Sequence, residues 1–391
     1  MNGSRPRPVW LSAASYAGMF GFGIVMALLG AILPLISARL RFDLAEAGNL
    51  FLAMNATMLV VTLSLGPLLD RFGIRPALLI APLFVAAALA LVANANSFAA
   101  LVAAVVLLGA GGGALNQATN TLIADLHEDS RRKSAALNML GVFFGFGALF
   151  VPFTIGSLLA RMGLTAILYL AAALSLVPAA MSVALAFPPP RRSAGVPFSE
   201  VLALARRPLV VVFAILLFFE SGNEFVLGGY VTTYLTRSLG ASVNAASYLL
   251  AAYWAAIMLE RVILSRVLLR VRGETLILAS ALGVAAAVAI LIAAPTLVGG
   301  AIAVVLLGFS IAAIFPTVLG LAGTEYASHS GTVFGILIGV ALTGGMSLPW
   351  AAGRIAQSRG PGAGLSIVIG SALCIFALQT VAGRLPREKR T

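Results

Sequence analysis

The feature that most limits this chain is the recurrence of apolar runs of about twenty residues or more, separated by short polar turns. A hydrocarbon layer about 30 Å thick is crossed by roughly 20 residues of helix. Inside it, each backbone N–H and C=O must find its partner within the segment. The runs give twelve candidate spans. Those of the first half lie near 10–36, 47–69, 77–95, 98–122, 134–159 and 164–187. Those of the second lie near 209–236, 244–265, 275–294, 297–321, 331–353 and 362–383. Only 10% of the 391 residues are charged, against about 25% in a soluble domain. The expected fold is an all-α polytopic membrane protein of twelve transmembrane helices, with the lipid bilayer as its solvent. The run at 10–36 exceeds the ~7–15 residues of a signal-peptide core, so a retained first span is expected.

One long polar stretch interrupts the pattern, from Pro188-Pro189-Pro190-Arg191-Arg192 to Arg206-Arg207-Pro208. Its prolines stop a helix, and Phe198–Ala205 has the composition of a short interfacial helix. The expected organisation is two pseudo-symmetric six-helix bundles, 1–187 and 209–391, joined by a cytoplasmic linker, 188–208. Of the 25 Lys and Arg residues, Arg39, Arg41, Arg161, Arg237, Arg354 and Arg359 fall on one side and Arg261 within a span. The remaining 18 fall on the other. That asymmetry places both termini in the cytoplasm, and a bacterial inner membrane is the expected location. The net charge of +12 is thus a matter of orientation, and no nucleic acid partner is expected, because no aromatic–basic platform accompanies it.

Other classes lack their chemistry. The two histidines, His127 and His329, lie in or beside loops, so no nucleophile–base pair or metal set falls within the spans, and an enzyme is not expected. No Gly-Lys-Ser/Thr phosphate loop occurs. Cys374, the single cysteine, permits no internal disulfide. Neither metal nor cofactor is expected.

The most specific stretch is Gly66-Pro67-Leu68-Leu69-Asp70-Arg71-Phe72-Gly73-Ile74-Arg75-Pro76, between spans 2 and 3. Gly66 and Gly73 allow a tight turn and close backbone approach. Asp70 lies where odd-numbered spans begin and present the positive ends of their dipoles, so Gly66, Asp70, Arg71, Gly73 and Arg75 are candidates for a conformational latch. Leu268-Leu269-Arg270-Val271-Arg272-Gly273 stands at the equivalent loop of the second half, as expected of a duplication. This pattern resembles that of the major facilitator superfamily, G-x-L-x-D-R-x-G-x-R, and the resemblance covers the whole chain. It implies two six-helix bundles rocking around a central site, in a protein that works as a monomer.

A narrower resemblance, to the fucose-permease-like sugar carriers, rests on several stretches. They are Gly109–Gly113 with Asn116 and Asn120 in span 4, Leu137-Asn138 and Phe143–Ala148 in span 5, and Gly222-Asn223-Glu224 in span 7. Phe315-Pro316-Thr317 in span 10 and Gly335 to Pro349 in span 11 complete them. Span 4 carries Asn116 where that group often has an acid, and span 1 holds no acid. Val151 and Glu260 stand where that group commonly has glycine.

Charges within spans are costly and mark function by default. Glu220, Asn223 and Glu224 recur at i, i+3 and i+4, on one face of span 7. Two carboxylates a turn apart in low dielectric repel when both are ionised, which suits a proton carrier. Glu224 and Glu220 are therefore the proton-coupling candidates, with helix-to-helix bonds as the bland alternative. Glu260 and Arg261, in span 8, form a structural or coupling ion pair. The amides of Asn116, Gln117, Asn120, Asn138 and Asn223 suit a hydroxyl-rich ligand, although interhelical bonding explains them as readily. Tyr230, Tyr253, Trp254, Phe315 and Trp350 could stack a sugar face. Gly331, Gly335 and Gly339 form a small-residue ridge whose expected role is helix packing. Together these predict a secondary transporter working by alternating access, taking up a sugar or similar small polar metabolite with H+. Proton-driven efflux of amphipathic compounds, or a uniporter with structural glutamates, are the alternatives.

Overall fold

The computed structural model describes residues 8–127, 130–189, 198–267, 271–326 and 329–385. Arg5, Arg7, Arg191, Arg192, residues 268–270 of the second motif copy, and the basic tail from Arg387 onward lie outside them.

The described residues are all-helical: α1 (Pro8–Leu40), α2 (Leu44–Phe72), α3 (Arg75–Asn94), α4 (Phe98–Leu126), α5 (Ser130–Ser175), α6 (Val177–Ala184), α7 (Phe198–Ala205), α8 (Pro208–Ser238), α9 (Val243–Val267), α10 (Gly273–Ala293), α11 (Leu297–Ile311), α12 (Ile314–Glu325), α13 (Ser330–Arg359) and α14 (Pro361–Ala382). Eleven continuous stretches among them are long and apolar enough to cross a membrane. One, Ala136–Ala184, has 49 residues, over twice what a crossing needs. Gly163, at φ 75° and ψ 163°, breaks it, so its two arms correspond to the fifth and sixth spans expected from the sequence. The tenth expected span is also divided, into α11 and α12, by a turn at 312–313. Pro316 follows that turn, and its missing N–H and its ring oppose a continuous helix.

Helix ends follow from local sequence. Asp43 and Glu46 cap α2 reciprocally: Asp43 N–H donates to Glu46 Oε2 at 3.0 Å and Glu46 N–H to Asp43 Oδ1 at 2.8 Å. Ser97 Oγ accepts from Ala100 N–H at the start of α4, and Thr296 Oγ1 accepts from Gly299 N–H at the start of α11. Arg39 Nη2 and Nη1 donate to the carbonyls of Val92 and Ala93, at 2.8 and 3.2 Å, closing the end of α3.

The chain divides into two compact units. The first comprises Met1–Phe42, Ala53–Ser193 and Val243–Ala251; the second comprises Asp43–Leu52, Ala194–Ser242 and Ala252–Thr391. In the first, α1 packs on α4 and α5, and α3 on α4 and α5. In the second, α8 packs on α13 and α14, and α10 on α11 and α14. The start of α2 thus belongs with the second unit, where Leu44 N–H donates to Gln357 Oε1 at 3.1 Å. The start of α9 belongs with the first, where Asn244 Nδ2 donates to Gly156 O at 2.9 Å.

Each unit repeats the same close approaches. A Cβ on Gly147 (α5) would overlap the Phe20 carbonyl of α1, and one on Gly344 (α13) would overlap the Phe218 carbonyl of α8. Gly109 (α4) likewise abuts the Met54 carbonyl of α2, and Gly308 (α11) that of Tyr253 in α9. Each second pair lies roughly 200 residues after the first, the spacing of an internal repeat. The ridge of Gly331, Gly335 and Gly339 differs from expectation. None has an atom within 4 Å of where its Cβ would sit, so it is an open face of α13 and no packing seam.

Candidate functional site

The described charges within spans gather in the second unit, on α8 and α9. At ~1.5 Å rise per residue, Glu220, Asn223 and Glu224 lie close to the middle of the 31-residue α8. Glu220 is 1% exposed and Glu224 half-buried. Helix α9 lies close against α8 at Gly228, where a Cβ would lie 3.3 Å from Trp254 Cζ2, a tight contact. That seat presents Tyr253, fully buried, to the acids of α8. Two turns further on, Arg261 interacts electrostatically with Glu220, Glu224 and Glu260 together. Tyr253 interacts with the same two glutamates and with Arg261. The Glu260–Arg261 pair expected from the sequence is therefore part of a larger cluster directed at α8. Glu220 Oε2 and Tyr253 Oη are buried with no hydrogen bond to another described residue. With all groups ionised, Glu220, Glu224, Glu260 and Arg261 carry two negative charges in excess, which a single proton halves.

Other sequence candidates take different places. Asn223 is 1% exposed, and its Oδ1 accepts from Ser371 Oγ of α14. That bond ties α8 to α14. Tyr230 donates to Pro349 O at 3.1 Å and its ring packs on Phe51 at 5.4 Å. Tyr253 and Trp254 stack edge-on at 5.3 Å, both within the core. All three rings are enclosed, so none offers the free face expected of a stacking residue. Phe315 is half-buried beside the break between α11 and α12, against the core of the second unit. Trp350, half-buried, lies under the guanidinium of Arg354, with Cζ 4.0 Å from the ring centroid, a cation–π contact.

In the first unit, Asn120 Nδ2 donates to Asn116 O at 2.8 Å and to Asn116 Oδ1 at 3.0 Å. These two amides therefore share one face of α4, as expected, and both are half-buried, as is Gln117. Asn138 is exposed on α5. Sequence reasoning passed over Asn55, which is 0% exposed in α2. The signal was a lone amide within the apolar run Leu50–Met58.

The motif loop after α2 is exposed at Asp70, Arg71 and Arg75. Gly73 adopts φ 79°, which requires glycine, and its N–H donates to Leu69 O at 2.8 Å. Arg75 Nη2 donates to Val183 O at 3.0 Å, at the end of α6, and Arg71 covers the Phe72 ring at 5.2 Å. Gly66 has no atom within 4 Å of a built Cβ, so the close approach expected there is not made.

The family model of the Major Facilitator Superfamily matches residues 15–349. No curated protein sequence matches the chain. Among solved structures, a mutant form of the nucleoside transporter NupG superposes with a TM-score of 0.78 at 14% identity, covering 96% of this chain and 99% of that one. The E. coli fucose:proton symporter gives 0.67 at 18% identity, covering 95% and 98%. A D-xylose-proton symporter gives 0.77 at 13%, covering 94% and 97%.

Proposed function

Because the chain belongs to the major facilitator superfamily, and so is a transporter and no enzyme, we propose that it takes up a small polar metabolite together with a proton. The metabolite is a sugar or a compound of similar polarity. The similar folds include sugar:proton symporters and a nucleoside transporter. The observation that carries the reading is the set of Glu220 and Glu224 near the middle of α8 with Tyr253 and Arg261 of α9.

Buried ions are expensive unless their charges cancel. One proton on Glu224 or Glu220 halves the excess negative charge around Arg261. Its departure restores an excess negative charge that favours water. A carrier needs this alternation: load from outside, reorient with the charge lowered, release to the cytoplasm. The metabolite meets the amides of Asn116 and Asn120. The protein works by alternating access, as a monomer with two six-helix bundles, 1–187 and 209–391, joined by 188–208. Both termini lie in the cytoplasm, in a bacterial inner membrane, and Asp70 with Arg71 and Arg75 forms the latch on that side.

Alanine at Asn116 and Asn120 tests uptake against efflux of amphipathic compounds. In membrane vesicles the double variant loses uptake of labelled polar solutes. Dye efflux driven by a proton gradient and unaffected by the double variant would instead sink this reading.

A further inference from the structure

The two acids of α8 do not stand in the same surroundings. Glu220 is 1% exposed, and its Oε2 is sealed from solvent with no hydrogen bond to another described residue. Glu224 stands one turn, about 6 Å, nearer the Ser238 end of the helix. It lies as deep within the protein as Glu220, yet it is only half-buried and neither of its oxygens is sealed. It makes no hydrogen bond to another described residue, so its carboxylate keeps its lone pairs for a ligand.

Contacts on three sides fix the rotation of α8 that produces this difference. A Cβ on Gly344 would overlap the Phe218 carbonyl, and one on Gly222 would lie 2.6 Å from Leu348 Cδ2, so this face of α8 lies on α13. Asn223 meets Ser371 of α14, and Gly228 meets Trp254 of α9. At about 100° per residue, Glu220 falls roughly 60° from Asn223 on one side and roughly 80° from Gly228 on the other. It therefore points into the sector between α14 and α9. Tyr253 of α9 is fully buried, its Oη has no partner among the described residues, and it interacts electrostatically with both acids. Glu224 shares the sector one turn further on, and there the carboxylate stays open.

A metabolite cannot reach a sealed carboxyl oxygen, but a proton needs no room. An open carboxylate deep in the protein accepts hydrogen bonds from hydroxyl or ammonium groups. Arg261 answers to Glu220, Glu224 and Glu260 together, so it cannot offset both acids of α8 at once. Resting on the carrier reading above, we propose that the two acids divide the work: Glu220 carries the proton, and Glu224 holds the metabolite through hydroxyl or ammonium hydrogens donated to its carboxylate. A metabolite in place keeps Glu224 ionised and confines the proton to Glu220, so the two ligands travel together.

Liposomes holding the purified full chain test this with labelled L-fucose, D-xylose and uridine, using whichever the parent moves fastest. Accumulation driven by an inward proton gradient reads the proton, and exchange of labelled for unlabelled solute at equal pH on both sides reads the metabolite alone. Glu220→Gln, which keeps the shape of a protonated acid, loses driven accumulation about tenfold or more, while its KM for exchange shifts by less than about threefold. Glu224→Gln raises the KM for exchange about tenfold or more, the scale of one lost hydrogen bond to a charged group. Glu224→Asp, which restores a carboxylate, recovers part of that loss. Should Glu220→Gln melt well below the parent, Glu220→Met carries the same test. A raised KM in Glu220→Gln with driven accumulation alone lost in Glu224→Gln overturns the assignment, and so does an equal effect of both variants on both measures. Exchange by the parent with no driven accumulation removes the proton from Glu220 and leaves a carrier. No movement of any of these solutes by the parent removes the carrier reading, and the assignment with it.

Discussion

Gly147→Ala will force α1 and α5 apart. The added methyl would overlap the Phe20 carbonyl oxygen, a backbone atom that no rotamer change can move aside. Carbon contacts settle near 3.5–4.0 Å, so the two helices must separate by roughly 1 Å or more at this crossing. Overpacking of this kind costs about 1–3 kcal/mol. The gain in helix propensity from glycine to alanine, up to about 1 kcal/mol, offsets part of it. Gly344→Ala faces the Phe218 carbonyl in the same way and should behave alike. Gly335→Ala is the internal control. Nothing lies within 4 Å of its built Cβ, so it should be neutral or stabilising by up to ~1 kcal/mol. Melting of the purified protein in one detergent reads the difference. Gly147→Ala and Gly344→Ala should each melt several degrees below the parent, on the scale of roughly 2–4 °C per kcal/mol, while Gly335→Ala should not fall. Equal losses at all three positions would refute the argument, because they would make the ridge on α13 a packed seam after all.

Four further outcomes follow from particular contacts. Ser371→Ala removes the donor to the buried Asn223 Oδ1 and should lower stability by about 1–3 kcal/mol, read by chemical denaturation; a loss well under that range would mean the bond contributes little. Gly163→Ala, at φ 75° and ψ 163°, enters a region reserved for glycine and should cost about 1–3 kcal/mol, so a variant melting with the parent would contradict the turn between the two arms. His329→Ala breaks the 3.0 Å pair with Glu200, whose side chains are 43% and 41% exposed; stability should change by under ~1 kcal/mol, and a larger loss would mean that α7 is anchored there. Arg261→Met deletes the positive member of the cluster around Glu220 and Glu224, and solute-driven proton flux in vesicles should fall at least tenfold; unaltered flux would place coupling elsewhere.

Much of this fold can be read along the chain because a bilayer admits few solutions. Span positions follow from run length, and the fifth and sixth spans part where a glycine follows Arg161 and Met162. Pro316 likewise announces a break in span 10. Direction around a helix axis is less legible. The same small-x-x-x-small spacing marks a tight crossing at Gly109 and an open face at Gly335, and only the neighbouring helix decides which. For the same reason the sequence shows Glu220 and Glu224 on one face but not that Arg261, on another helix, faces them. Nor does the sequence show that Ser371, far along the chain on α14, bonds to Asn223 Oδ1. Tyr253 and Trp254 read as stacking rings until packing encloses them.

Proton coupling through span 7 is most directly tested with the purified protein in liposomes holding a trapped pH indicator. Hexoses, pentoses, nucleosides and cationic dyes are added outside in turn. The account predicts that one polar solute acidifies the lumen, that Glu224→Gln abolishes the signal, and that Glu200→Gln keeps it. Solute entry with no change in lumenal pH, or acidification that survives in Glu224→Gln and Glu220→Gln alike, would contradict it.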